Sequence, residues 1–203
     1  MIKRSYNDVL YQIAESQLGY FTAAQAKAAG LVPVRIIQMI GSGDIERTSR
    51  GVYHLTRFPV SRWSQYMEAA LWPQVRRGGV TGTISHESAL AFYGMSEVSP
   101  ATVHITLPPT MRIRRTVPRY LTIHRAELKP SEVAVMEGVP VTTPARAIRD
   151  AAAAHVGSAI VRQAILDGRR TGHLTAAQTD RLAHELIGES FPPLRILDDE
   201  RGA

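Results

Sequence analysis

The sequence predicts an α+β protein: an N-terminal winged helix-turn-helix, then a mixed α/β domain with a helical C-terminal part. Three observations carry this. Residues 22–55 read as helix, turn, helix and a tight basic hairpin. Residues 103–107 and 121–124 are short extended runs bounded by prolines, and residues 143–187 hold three segments with helix-start signals and helical apolar spacing. The expected units are 1–60 for the winged helix, 61–190 for the α/β domain and 191–203 for a charged, Pro-containing tail.

The first helix is expected over Tyr6–Gln17, capped by Ser5, with Val9, Leu10, Ile13 and Leu18 as its buried stripe. Thr22 suits the N-cap of a second helix, and Gly30 its left-handed stop. Pro33 opens a third helix. In it Val34, Ile37 and Ile40 are expected on the buried side, with Arg35, Gln38, Met39 and Ser42 on the other face. Asp44–Arg47 and Val52–Leu55 alternate like two strands around Thr48-Ser49-Arg50-Gly51.

Beyond a link at Arg57–Ser61, Trp63–Trp72 reads as a helix stopped by Pro73. Ser85 and Gly94 bracket a helix over His86–Tyr93. Val103–Leu107, Arg112–Thr116 and Leu121–His124 are expected as strands, and Val139-Pro140-Val141 as a short extended piece. Thr143-Pro144 starts a helix running to about His155; helices over Ser158–Gly168 and Thr175–Ile187 follow.

Charge and composition narrow the function classes. The net charge is +6. Residues 1–62 carry eight Lys/Arg against four Asp/Glu, so the excess is densest at the helix-turn-helix, as contact with a phosphate backbone requires. The absence of cysteine excludes disulfides, thiol catalysis and cysteine-ligated zinc. No run of eighteen uncharged apolar residues exists, and the N-terminus has no signal core, so a cytoplasmic protein without membrane contact is expected. Gly41-Ser42-Gly43 lacks the Lys of a P-loop and reads as a helix stop; no cofactor is expected.

A helix-turn-helix followed by a wing places one helix in a DNA groove. Arg35 and Gln38 then face base edges, where Arg pairs with guanine and Gln with adenine. Arg47, Thr48, Ser49 and Arg50 form a wing suited to phosphate or minor-groove contact. Lys3 and Arg4 precede the first helix as a basic arm, and Thr22 stands at a helix N-terminus where a phosphate can be oriented. A second basic segment, with Arg112, Arg114, Arg115 and Arg119 within eight residues, is a candidate for further nucleic-acid or partner contact, or an edge strand guarded by charge. The histidines show no HExxH or paired metal-ligand spacing, and Ser85, His86 and Asp150 lack a nucleophile-elbow context, so neither a metal site nor catalysis is expected. Arg146 and Asp150 read as an i,i+4 ion pair.

Four pieces in order, ISHESALAFYGM (84–95), VHITLP (103–108), LTIHRAEL (121–128) and GVPVTTPARAIRDAA (138–152), together with the winged helix and its HLTRFP exit (54–59), resemble the AbiEi antitoxin family of toxin–antitoxin operons. The resemblance covers residues 5–188. It implies an antitoxin and autorepressor whose N-terminal domain binds operator repeats; an operator with inverted half-sites would hold two copies, whether or not they dimerise in solution. The second domain would counteract a nucleotidyltransferase-like toxin, by direct contact or by opposing its effect. Some actinobacterial proteins share the SHESAL, VHITLP and TTPAR pieces and continue into a very-short-patch-repair-type nuclease domain. Fewer than sixty residues follow Arg146 here, too few for that domain. The alternative is a stand-alone winged-helix regulator whose second domain dimerises or senses a ligand.

Overall fold

The computed structural model describes residues 6–75 and 79–188. Ser5, Lys3, Arg4 and the expected tail at 191–203 lie outside the described residues.

In chain order the first unit contains α1 (Tyr6–Glu15), β1 (Tyr20–Thr22), α2 (Ala23–Ala28), α3 (Pro33–Gly41), β2 (Ile45–Ser49) and β3 (Val52–Leu55). Thr22 caps α2 in a capping box: its hydroxyl accepts from Gln25 N while Gln25 Oε1 accepts from Thr22 N. Gly30 takes the left-handed conformation after α2, at φ +89°. Pro33 stands in the first turn of α3. β2 and β3 form the antiparallel wing with a register shift between Arg47 and Ser49, and Gly51 turns it at φ +84°. β1, which is not among the expected strands, is a third strand paired with β3. Leu10, Phe21, Leu31, Ile36, Met39 and Ile45 fill the small core between these elements.

The second unit contains α4 (Ser64–Leu71), β4 (Thr83–Ile84), α5 (His86–Tyr93), β5 (Val103–Leu107), β6 (Leu121–Arg125), β7 (Val133–Met136), β8 (Val139–Thr142), α6 (Pro144–Ala153), α7 (Ser158–Arg170) and α8 (Ala176–Ile187). Its five-stranded sheet runs in the order β6-β5-β4-β8-β7. β5 and β6 are parallel, β4 pairs antiparallel with β5 and parallel with β8, and β7–β8 is a hairpin turned by Glu137-Gly138, both at positive φ. β4 and β7 have no counterpart among the expected strands. Pro73 lies inside a 3-10 turn over Trp72–Val75 that extends α4, so it does not stop the chain's helical course at once.

Two expected features are corrected. Arg112–Thr116 forms no strand. It lies in the connection between parallel β5 and β6, which needs about a dozen residues to cross over and so has no neighbouring strand at that point. Ser85 and Thr143 hold N-cap positions, yet neither side chain caps its helix; Ser85 Oγ instead accepts from Thr106 Oγ1 at 2.8 Å.

The two units share a core. Tyr20 and Val52 of the winged helix belong to the large cluster formed by Met67, Leu71, Ile84, Leu90, Ile105 and Ile148. α4 packs against β1 on one side and against β4, β5 and β8 on the other, so it belongs to both units. Gly138 approaches the first unit so closely that a Cβ there would stand 2.5 Å from the Ser16 carbonyl oxygen.

Candidate nucleic-acid interface

The orientation of α3 sets what it can present. Ile36 and Met39, three residues apart, are 8% and 2% exposed and join Leu31 in the core. Opposite them Val34, Ile37, Gln38 and Gly41 recur at i, i+3, i+4 and i+7, and all are exposed. Val34 and Ile37 are 59% and 66% exposed, and Ile40 is exposed on the flank. This overturns the expected buried side of Val34, Ile37 and Ile40 and the expected outward Met39. The helix is apolar on both faces, so periodicity admits either choice. The turn decides: Leu31 N donates to Ala26 O, which seats Leu31 in the core and brings Ile36 and Met39 in after it. Gln38 is outward as expected; Arg35 is half-buried at the edge of the face, its Nη1 donating to Gln38 Oε1 at 3.3 Å.

β2 of the wing packs beside α3. Arg47 and Arg50 are exposed on it. The hydroxyl oxygens of Thr48 and Ser49 are closed off from solvent, that of Ser49 beside the Tyr120 hydroxyl. Thr22 is fully buried, its side chain engaged in the capping box. The wing therefore leaves its two arginines exposed, while Thr48 and Ser49 are half-buried and Thr22, before α2, is fully buried.

The basic crossover lies against the wing turn. Met111 and Ile113 pack on the large core, while Arg112, Arg114 and Arg119 are exposed. Arg115 turns inward. One of its amino groups donates to the Arg50 carbonyl at 3.3 Å and the other to the Trp72 carbonyl, with the guanidinium 3.7 Å above the Trp72 ring. Tyr120 reaches Glu68 at 3.4 Å; burial first, then that carboxylate, pushes its hydroxyl up to about 12. Arg115 thus acts as a staple between the units, and its three neighbours stand free of that role.

A histidine cluster of His86, His104 and His124 with Glu87, residues whose sequence spacing alone does not bring them together, occupies the second unit. In the parallel register His104 faces Thr122 and His124 faces Thr106, which puts both imidazoles on one side of the sheet. His124 Nε2 lies 3.1 Å from His104 Nδ1, and that nitrogen lies 3.1 Å from Glu87 Oε2. His86, at φ +54°, stacks on His124 with centroids 3.4 Å apart and places Nδ1 2.9 Å from Ser85 Oγ. Burial, then the neighbouring imidazoles, lowers His86 to about 3 and His124 to about 4; burial also lowers His104, against the pull of Glu87. The parallel pairing was the missing signal, since 104 and 124 share a face only once that register is known.

The Arg146–Asp150 pair forms as expected, Nε to Oδ1 at 2.7 Å, and Arg146 also reaches Glu132 at 2.9 Å. Burial raises Asp150 despite that partner. Ser85 is fully buried beneath Thr106, and Asp150 is held by Arg146 through Oδ1. Among the described residues no three His, Asp or Glu converge as metal ligands, and no helix is long and apolar enough to cross a membrane.

Comparison with known proteins matches this arrangement unit by unit. Residues 8–56 match the family described as "Transcriptional regulator, AbiEi antitoxin", and residues 73–167 match the "AbiEi antitoxin C-terminal domain". No functionally curated protein matches. Among solved structures, the RV2827C protein from Mycobacterium tuberculosis superposes with a TM-score of 0.51 at 15% identity, covering 86% of this chain and 69% of that one, a likeness of fold. The two family matches fall in order on the winged helix and on the sheet domain. The chain belongs to the AbiEi antitoxin family, a family of non-enzymatic regulators.

Proposed function

We propose that this protein is a cytoplasmic antitoxin that binds operator DNA through its winged helix, represses its own operon and counteracts a nucleotidyltransferase-like toxin. The observation that carries the reading is the outward face of α3, which presents Gln38 with Arg35 at its edge beside a wing bearing exposed Arg47 and Arg50. Bases are read from α3, and the wing arginines hold the backbone. Arg112, Arg114 and Arg119 extend the phosphate contact past the wing, because Arg115 ties their segment to the wing turn. Lys3 and Arg4 add a basic arm at the N-terminus. Two copies on inverted half-sites would give the operator its symmetry.

Antitoxin action belongs to the second unit. Because Tyr20 and Val52 are part of its core, the functions are best separated in the full-length chain. A reporter driven by the protein's own promoter, with wild type or an Arg35→Ala/Gln38→Ala/Arg47→Ala/Arg50→Ala variant supplied in trans, should be repressed only by wild type. Both proteins should rescue growth when the neighbouring toxin is co-expressed from an unrelated promoter. Full repression by the variant would refute the assigned DNA face. Failure of wild type to rescue growth would refute the antitoxin role.

A further inference from the structure

The outward stripe of α3 is unusual for a solvent-facing helix. Two of its four positions, Val34 and Ile37, are branched aliphatics left more than half exposed. Gln38 is the polar member, and at Gly41 nothing stands within 4 Å of the place a Cβ would occupy. The nine residues of α3 include no Asp or Glu. Cations border the stripe instead, with Arg35 on its edge and Arg47 and Arg50 on the adjoining wing.

Aliphatic groups bordered by arginines match the floor of a DNA major groove. There the thymine C5-methyl is the apolar group on the base edges, and it lies between two anionic backbones. An aliphatic protein surface would cover Val34 and Ile37 equally well but would leave the bordering cations unmatched. We infer that α3 reads A·T pairs, Val34 and Ile37 packing against thymine methyl groups while Gln38 takes adenine N6 and N7 and Arg35 a flanking phosphate. The inference rests on operator binding and names what is read: a half-site in which thymines occupy the positions facing residues 34 and 37. Gly41, lacking a side chain, lets the helix end approach the bases closely.

The test uses the full-length protein and the DNA upstream of its gene, prepared once with thymine and once with uracil throughout. The two differ only by the C5-methyl. Wild type should bind the uracil DNA more weakly, by roughly fourfold for each methyl contacted, the value of one buried CH2. A Val34→Ala/Ile37→Ala variant, altered only at exposed positions, should keep its melting temperature and bind both DNAs alike. Equal affinity of wild type for the two DNAs would overturn the inference. So would a variant that keeps the wild-type ratio, since the methyl would then act through DNA shape. Wild type that bound the thymine DNA no better than a scrambled duplex would overturn operator binding itself, an outcome distinct from the other two.

Discussion

Met39 and Ile37 sit two positions apart on α3, about 200° around its axis, and have opposite exposures of 2% and 66%. Their truncations should therefore separate stability from binding. Met39→Ala removes a buried side chain from the small core shared with Phe21, Leu31 and Ile45. Buried Met→Ala changes cost about 2–5 kcal/mol. The lower part of the range applies, because Met39 also lines a pocket with Tyr11, Leu55 and Phe58 into which neighbours can relax. A loss of about 2–3 kcal/mol lowers the melting temperature of a chain this long by about 4–12 °C. Ile37→Ala removes a mostly exposed side chain, for which about 0.5 kcal/mol is the usual limit. Thermal melts followed by circular dichroism should show the first shift and almost none for the second. Equal destabilisation by both, or a larger one from Ile37→Ala, would mean that the helix is rotated and would refute the assignment of its outer face.

The histidine cluster makes stability depend on acid. His86 and His124 are lowered in the folded chain to about 3 and about 4, so the unfolded chain takes up protons first as pH falls below about 6.5. Their contribution is complete above that pH and is lost from about 6.5 down to about 4 for His124 and about 3 for His86, at up to about 1.4 kcal/mol per pH unit for each imidazole. Melting temperatures measured from pH 7.5 to 5 should fall, and His124→Phe should flatten the slope; an unchanged slope would contradict the assignment. Gly138→Ala should destabilise the junction of the units, since Ala would sit at φ +76° with its Cβ 2.5 Å from Ser16 O. The left-handed conformation alone costs about 1–2 kcal/mol, and a melting temperature equal to wild type would contradict that contact. Arg115→Ala removes charged hydrogen bonds to two carbonyls and the contact with Trp72, so the 108–120 connection should become cleavable by trypsin at Arg112 or Arg114 under conditions where wild type is intact.

Local signals carried most of the fold. Thr22 and Thr175 each start a helix through a capping box, Gly94 ends α5 in the left-handed conformation, and Pro33 and Pro144 open α3 and α6. Each of these depends on residues within four positions. What escaped the sequence depends on partners far along the chain. β4 is two residues long and exists because β5 and β8 lie on either side of it. The Arg112–Thr116 segment alternates like a strand, with Met111 and Ile113 inward and Arg112 and Arg114 outward, yet no strand runs alongside it. At the interface, residue types were legible but not their facing. Gln38, Arg47 and Arg50 point outward as their chemistry suggests. Thr48 and Ser49 turn inward at the bulge of the wing, which reverses the alternation there.

The most direct test of the account is the affinity of the purified protein for the DNA upstream of its gene, measured over a range of salt for wild type, Arg35→Ala/Gln38→Ala and Arg47→Ala/Arg50→Ala. Wild-type affinity should fall steeply with salt. The wing variant should lose about 0.9 from the magnitude of the log–log slope for each phosphate contact removed. The helix variant should lose much of its preference for the upstream DNA over a scrambled duplex, the bidentate contact of Gln38 with adenine being worth about 1–3 kcal/mol, and about 0.9 of slope with the Arg35 phosphate contact. Three proteins with the same slope and the same preference would contradict the claim that α3 and its wing hold the operator.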